Sequence, residues 1–226
     1  MTVLNPPAAS LIPIFATPFA VASLHVPGVL NDTLAALLAS RASAERRDPD
    51  AARDPLCYRS REDLFDWQDA PVASLRQEML AGVCSAVMAC NLMSEEEFDR
   101  LGVQARARFV IIRPDGCLPA ASLPLASWCA VYCVAAPTPT SARADSATLR
   151  LYDTRLSSMF TDASNWSLRP PFAGGHHLWR PLAGQMAAFP ACLAHEIALN
   201  RSEDDLVLVI ARVRFANPGQ QASPPW

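Results

Sequence analysis

The spacing of apolar positions changes near residue 105. Upstream, Val72, Leu75, Met79, Val83, Val87 and Cys90 follow Pro71 at intervals of three and four, which predicts a helix to Asn91 with proline in its first turn. Leu34, Leu37 and Leu38 mark one face of an earlier helix that Asn31 or Asp32 can cap. The stretch SEEEF at 94–98 is a capping box, Ser94 with Glu97, and predicts a short helix whose glutamates face its dipole. Residues 11–21 predict an opening strand that prolines confine to a sheet edge. Residues 45–63 are charged and turn-rich, and predict a loop.

Downstream the pattern becomes that of short strands separated by Pro, Gly, Asp or Asn: 106–114, 127–137, 147–153, 176–181, 184–190, 194–199 and 205–215. Helices first and then many short strands predict a mainly β fold with packed helices, an antiparallel double-sheet jelly roll (a double-stranded β-helix, cupin-like). We expect one domain over 1–226: a helical part at about 29–102, a β-rich part at about 105–215 and a loop tail at 216–226. In FPACLAHEIALN (189–200) one strand ends, the chain turns a corner, and His195 stands where it rejoins a sheet.

Composition narrows the chemistry. The net charge is -3, and Arg41, Arg46, Arg47 and Arg53 are interleaved with acidic residues, so nucleic acid is not the expected partner. No apolar run reaches the length of a membrane helix, and MTVLNPPAASLIPIF lacks the basic start of a signal peptide, so a cytoplasmic location is expected. All 19 basic residues are arginine, which excludes Schiff-base chemistry and a Walker A lysine. Seven cysteines without a CxxC pair point to reduced, mostly buried thiols.

Several segments, in order, carry a resemblance: FATPF (15–19), VLNDTLAALL, WCAVYCVAAP, LYDTR and GQMAAFPACLAHEIALNRSEDD. Together they resemble a bacterial group of 2-oxoglutarate/Fe(II) oxygenases with a double-stranded β-helix fold. That group starts with F-x-TP and has an HxHP…SGVYYV segment and a G-x-L-x-x-FPs-x-L-x-H-x-V segment. The resemblance implies two iron ligands from the first histidine segment, a third from the second, and an arginine about a dozen residues later that clamps 2-oxoglutarate. Carried onto this chain, the last ligand is His195, the first two positions are Ala121 and Leu123, and the clamp falls at about Leu206. Residues 114–134 contain no His or Glu, and Asp115 belongs to an RPDG turn. Arg212 has the parity of Leu206 but lies about 20 Å along the strand. No cofactor is therefore expected, and iron and 2-oxoglutarate are set aside.

The remaining candidates are His195 and Tyr132 as catalytic groups, and His177, Trp128, Trp179 and Arg180 as substrate-binding groups. His195 offers an imidazole that titrates near neutrality, and Tyr132 a proton or hydrogen bond. His176 and His177 alternate on a strand, so one of the two faces the cavity. Trp128, Tyr132 and Trp179 suggest an aromatic wall, and Arg180 a partner for a substrate carboxylate. The expected function is an oxygenase-fold enzyme that has lost its iron site and performs a non-redox step (cyclisation, isomerisation, elimination or hydration) on a small molecule of specialised biosynthesis. Two alternatives stay open. One is a non-catalytic binding or scaffold protein, and the other a metal enzyme rebuilt around His195 and His177 with Glu196 or Asp153 as a third ligand. A homodimer is compatible with the fold.

Overall fold

The computed structural model describes residues 16–24, 28–51, 54–138, 145–153, 168, 171–172 and 175–217. Among the described residues, ten strands form two antiparallel sheets. The larger contains β1 (Ala20–Ser23), β2 (Cys57–Arg59), β3 (Gly102–Ile112), β5 (Trp128–Ala135), β8 (Gln185–Pro190) and β10 (Leu206–Ala216), in the order β1-β8-β5-β10-β3-β2. The smaller contains β4 (Leu118–Ala121), β6 (Leu149–Tyr152), β7 (His176–Trp179) and β9 (His195–Ile197), in the order β4-β9-β6-β7. The sheets enclose an apolar layer built from Val110, Val131, Leu149, Phe189, Ile197 and Leu208. This is the double-stranded β-helix that the strand pattern predicts.

The helices α1 (Gly28–Ser40) and α2 (Ala70–Ala89) pack on the outer face of the larger sheet. On α2, Val72, Leu75, Met79, Val83 and Val87 are buried, as their spacing requires, while Cys90 falls at the exposed C-cap. The capping box forms as predicted at α3 (Glu95–Asp99): the Glu97 backbone N–H donates to Ser94 Oγ, and the Ser94 backbone N–H donates to Glu97. β1 lies at a sheet edge, and residues 11–15 of that predicted strand are outside the described residues.

Two expectations change. Neither Asn31 nor Asp32 caps α1, because the helix begins at Gly28. Asn31 is instead buried, and its Oδ1 accepts a hydrogen bond of 2.5 Å from the Tyr132 hydroxyl. Two strands were also not predicted. β2 lies inside the charged 45–63 stretch, and β4 contains Pro119, which an edge strand tolerates. That charged stretch is tied down electrostatically. Asp48 pairs with Arg59 at 3.0 Å and Arg108 at 2.6 Å, and Glu62 bridges Arg108 and Arg212. These groups are less than a third exposed, so the pairs are shielded from water more than surface ion pairs are.

The Tyr132–Asn31 bond links β5 to α1 across a buried interface. Tyr132→Phe is expected to lower the unfolding free energy by about 1–3 kcal/mol, because it strands the Asn31 amide oxygen. Tyr132→Phe combined with Asn31→Leu is expected to cost less than the sum of the single changes. Urea unfolding of the three variants measures both effects.

Candidate functional site

His195 opens β9 directly after the corner that ends β8. The Leu193 N–H donates to Pro190 O at 3.1 Å, which closes the turn. His195 is 5% exposed. Its Nδ1 lies 2.9 Å from Leu193 O, so Nδ1 carries the proton that it donates to that carbonyl. Nε2 then holds the lone pair and faces the Cys129 thiol at 3.9 Å. The edge of the ring meets Phe189, with centroids 5.1 Å apart. Burial lowers the His195 pKa, and the Leu193 bond opposes that shift. Burial raises the Cys129 thiol. The pair is therefore a neutral imidazole beside a neutral thiol, not an ion pair.

Register explains what else faces this point. Leu151 pairs with His195 on one side and His177 on the other, while Ala121 pairs with His195 from β4. His177, Leu151 and His195 thus stand in one row across the smaller sheet. His177 lies two strand spacings from His195, about 9–10 Å. Among the described residues no group of three metal-binding side chains contains the two histidines. His177 instead packs on Phe19, with centroids 4.8 Å apart, and Phe19 also meets Trp179 and Phe189. As alternation requires, His176 is on the other face, near Tyr152.

The structure separates the remaining candidates. Tyr132 and Trp128 occupy the even positions of β5 and belong to the layer under the helices. They do not share a cavity with His195, and the aromatic wall of Trp128, Tyr132 and Trp179 is not formed. Arg180 follows β7 and is half-buried. Glu196 points away from the interior and accepts from Arg150 at 2.7 Å, so it is not a third ligand beside His195. Asp153 follows β6, where its N–H donates to Gly175 O. Leu206 is buried, and Arg212, the strand partner of Cys129 in the middle of β10, pairs with Glu62. Among the described residues, no group of three His, Cys, Asp or Glu side chains is placed to hold a metal ion.

Cys129 and Phe19 are site neighbours that sequence reasoning missed. Parity was the available signal: on a strand buried on both faces, Cys129, Val131 and Cys133 share the side opposite Tyr132.

No known family model and no curated protein matches the chain. Solved structures do match. The carbocyclase SnoK of nogalamycin biosynthesis, described as non-heme and alpha-ketoglutarate-dependent, aligns with a TM-score of 0.60 at 10% identity, over 92% of this chain and 85% of its own. HygX from Streptomyces hygroscopicus, solved with nickel and 2-oxoglutarate bound, gives 0.55 at 12% identity, over 92% and 85%. A Pseudomonas putida prolyl-4-hydroxylase gives 0.54 at 17% identity, over 90% and 94%. The structural neighbours are thus 2-oxoglutarate/Fe(II) oxygenases. This corrects the expectation that no cofactor is needed and that iron and 2-oxoglutarate can be set aside. That expectation rested on the apolar residues at the two ligand positions and at the clamp position, whereas HygX, a neighbour in fold, was solved with nickel and 2-oxoglutarate bound.

Burial of a neutral imidazole has a signed consequence. In the unfolded chain His195 titrates near about 6.5, and in the folded chain lower. Between those values the unfolded state binds more protons, so stability rises with pH. His195 thus leaves stability intact above about pH 6.5 and reduces it as pH falls below that, by at most about 1.4 kcal/mol per pH unit. Urea unfolding from pH 7.5 to 5 is expected to show this slope in the wild-type protein and a flatter one in His195→Gln.

Proposed function

We propose that the chain is an enzyme of the 2-oxoglutarate oxygenase fold that transforms a small organic molecule of specialised biosynthesis by closing a ring or isomerising it. The observation that carries this reading is His195. The corner at Leu193 holds it in one tautomer and turns the Nε2 lone pair toward the space between the sheets. An imidazole nitrogen that faces a thiol at 3.9 Å has exchanged water for a weak partner, which costs stability. Such an atom is ready to meet a substrate or a cation bound in front of it, and both roles require the neutral form.

The flanking side chains suit an apolar ring. Phe19, His177 and Trp179 form a connected aromatic group at the β7 side of the smaller sheet, and Phe189 continues it to His195. His177 is exposed and Trp179 partly so, and contact with such groups would hold a flexible substrate in a reactive conformer, which can supply several kcal/mol of barrier reduction. The scaffold also supports the reading, because SnoK is a carbocyclase. A metal with 2-oxoglutarate supplies oxidising capacity in this fold, and the described residues offer it His195.

Deletion of the gene, followed by mass spectrometry of extracted small molecules, tests the reading. An acyclic or unisomerised precursor is expected to accumulate. Wild-type protein is expected to restore the product, and His195→Ala is expected to fail by more than about tenfold. Restoration by His195→Ala would remove His195 from the reaction. An unchanged metabolite profile would favour a non-catalytic binding protein.

A further inference from the structure

We infer that four arginines at alternate positions of β3 and β10 form an anion patch that holds a phosphate group of the substrate. The inference rests on the reading of the chain as a small-molecule enzyme and adds the chemical class of its substrate.

The patch is written twice in the sequence, as RARF at 106–109 and RVRF at 212–215. Antiparallel register sets Arg106 against Arg212, Gln104 against Arg214 and Arg108 against Ile210. Alternate positions of a strand share a face, so Arg106, Arg108, Arg212 and Arg214 lie on one side of the larger sheet. It is the side of Cys129, the β5 partner of Arg212, and Cys129 meets His195. Arg106 stands two strand spacings from Cys129, about 9–10 Å, so one small molecule spans the patch and the imidazole. The clamp that the resemblance implies for 2-oxoglutarate falls at about Leu206, about 20 Å along β10 from Arg212, so the patch is a separate anion position.

Charge narrows the occupant. Arg59 of β2 pairs with Val110 and joins the same face. Two carboxylates answer these five guanidiniums: Glu62 bridges Arg108 and Arg212, and Asp48 holds Arg59 and Arg108. Both Glu62 oxygens are used, and the second Asp48 oxygen accepts the Asp50 N–H. Among the described residues, no ion pair reaches Arg106, which is exposed, or Arg214, which is half-buried. The face therefore keeps an excess of positive charge at partly shielded positions, which is costly until an anion joins it. Burial pulls the Arg212 pKa below its usual value, Glu62 opposes that shift, and Arg108 and Arg106 add to it. Arg106 and Arg214 sit diagonally on neighbouring strands, about 7–8 Å apart at the backbone. A phosphate monoester brings three terminal oxygens and close to two negative charges, so it accepts forked bonds from both and cancels most of the excess. A carboxylate brings two oxygens and one charge.

Calorimetric titration of the full chain with phenyl phosphate tests the patch. Saturable binding of one equivalent is expected. Arg106→Gln and Arg214→Gln are each expected to weaken it about tenfold or more, because each removes charge-assisted bonds. Arg201→Gln removes the same charge from an exposed position after β9 and is expected to leave binding unchanged. Thermal unfolding of Arg106→Gln is expected to match the parent, which separates lost binding from lost fold. Benzoate, with the same ring and a carboxylate, is expected to bind about tenfold more weakly than phenyl phosphate. Absence of saturable binding, an equal loss in Arg201→Gln, benzoate binding as tight as phenyl phosphate, or tighter binding of a short single-stranded oligonucleotide would overturn the inference. If metabolite restoration still depends on His195 in that case, the proposed function stands with a substrate that lacks the phosphate. Phenyl phosphate binding with an unchanged metabolite profile keeps the patch and removes the function.

Discussion

The structure depends on a strand buried on both faces. β5 lies in the middle of the larger sheet, between β8 and β10, and seven of its eight residues are buried. Helices cover one side and the smaller sheet covers the other. A period of two therefore sorts its residues without compromise. Trp128, Ala130, Tyr132 and Val134 pack under α1 and α2, while Cys129, Val131 and Cys133 pack between the sheets. A shift of one residue in register would exchange the two sets and bring the Tyr132 hydroxyl into the layer now occupied by a thiol. The hydrogen bond from Tyr132 to Asn31 disfavours that shift.

The chemistry of His195 follows from the corner before it. The chain leaves β8 at Pro190, turns, and directs the Leu193 carbonyl at Nδ1. That one bond selects the tautomer, and so decides which nitrogen faces the interior. Burial then keeps the ring neutral. A ring with the same sequence neighbours but an exposed Nδ1 would sample both tautomers. The backbone thus prepares the donor before any ligand arrives.

The smaller sheet determines which side chains can act with that donor. Strand order β4-β9-β6-β7 puts Ala121 and Leu151 beside His195 and moves His177 one strand further away. Neither immediate neighbour carries a metal-binding atom. The Cys129 sulfur comes from the opposite sheet. The surroundings of His195 are thus made by the stacking of two sheets, and pairing within one sheet does not account for them.

The sequence by itself determined most of the elements, though not β2 or β4, and the corner. The apolar spacing of α2, the capping box at Ser94, the strands after residue 105 and the turn before His195 are local patterns, and local backbone preference with periodicity is enough to produce them. The resemblance laid Ala121 on one of the ligand positions, and the structure makes Ala121 the strand partner of His195. The tertiary structure decided which faces meet. Asn31 reads locally as a helix cap, and becomes the partner of Tyr132, 101 residues away. Tyr132 reads as a pocket residue and packs against a helix. Cys129 reads as one of several buried thiols and meets His195 from 66 residues away. Alternation along a strand states that two faces exist, but the elements that cover each face arrive from distant parts of the chain, and no local pattern encodes their choice.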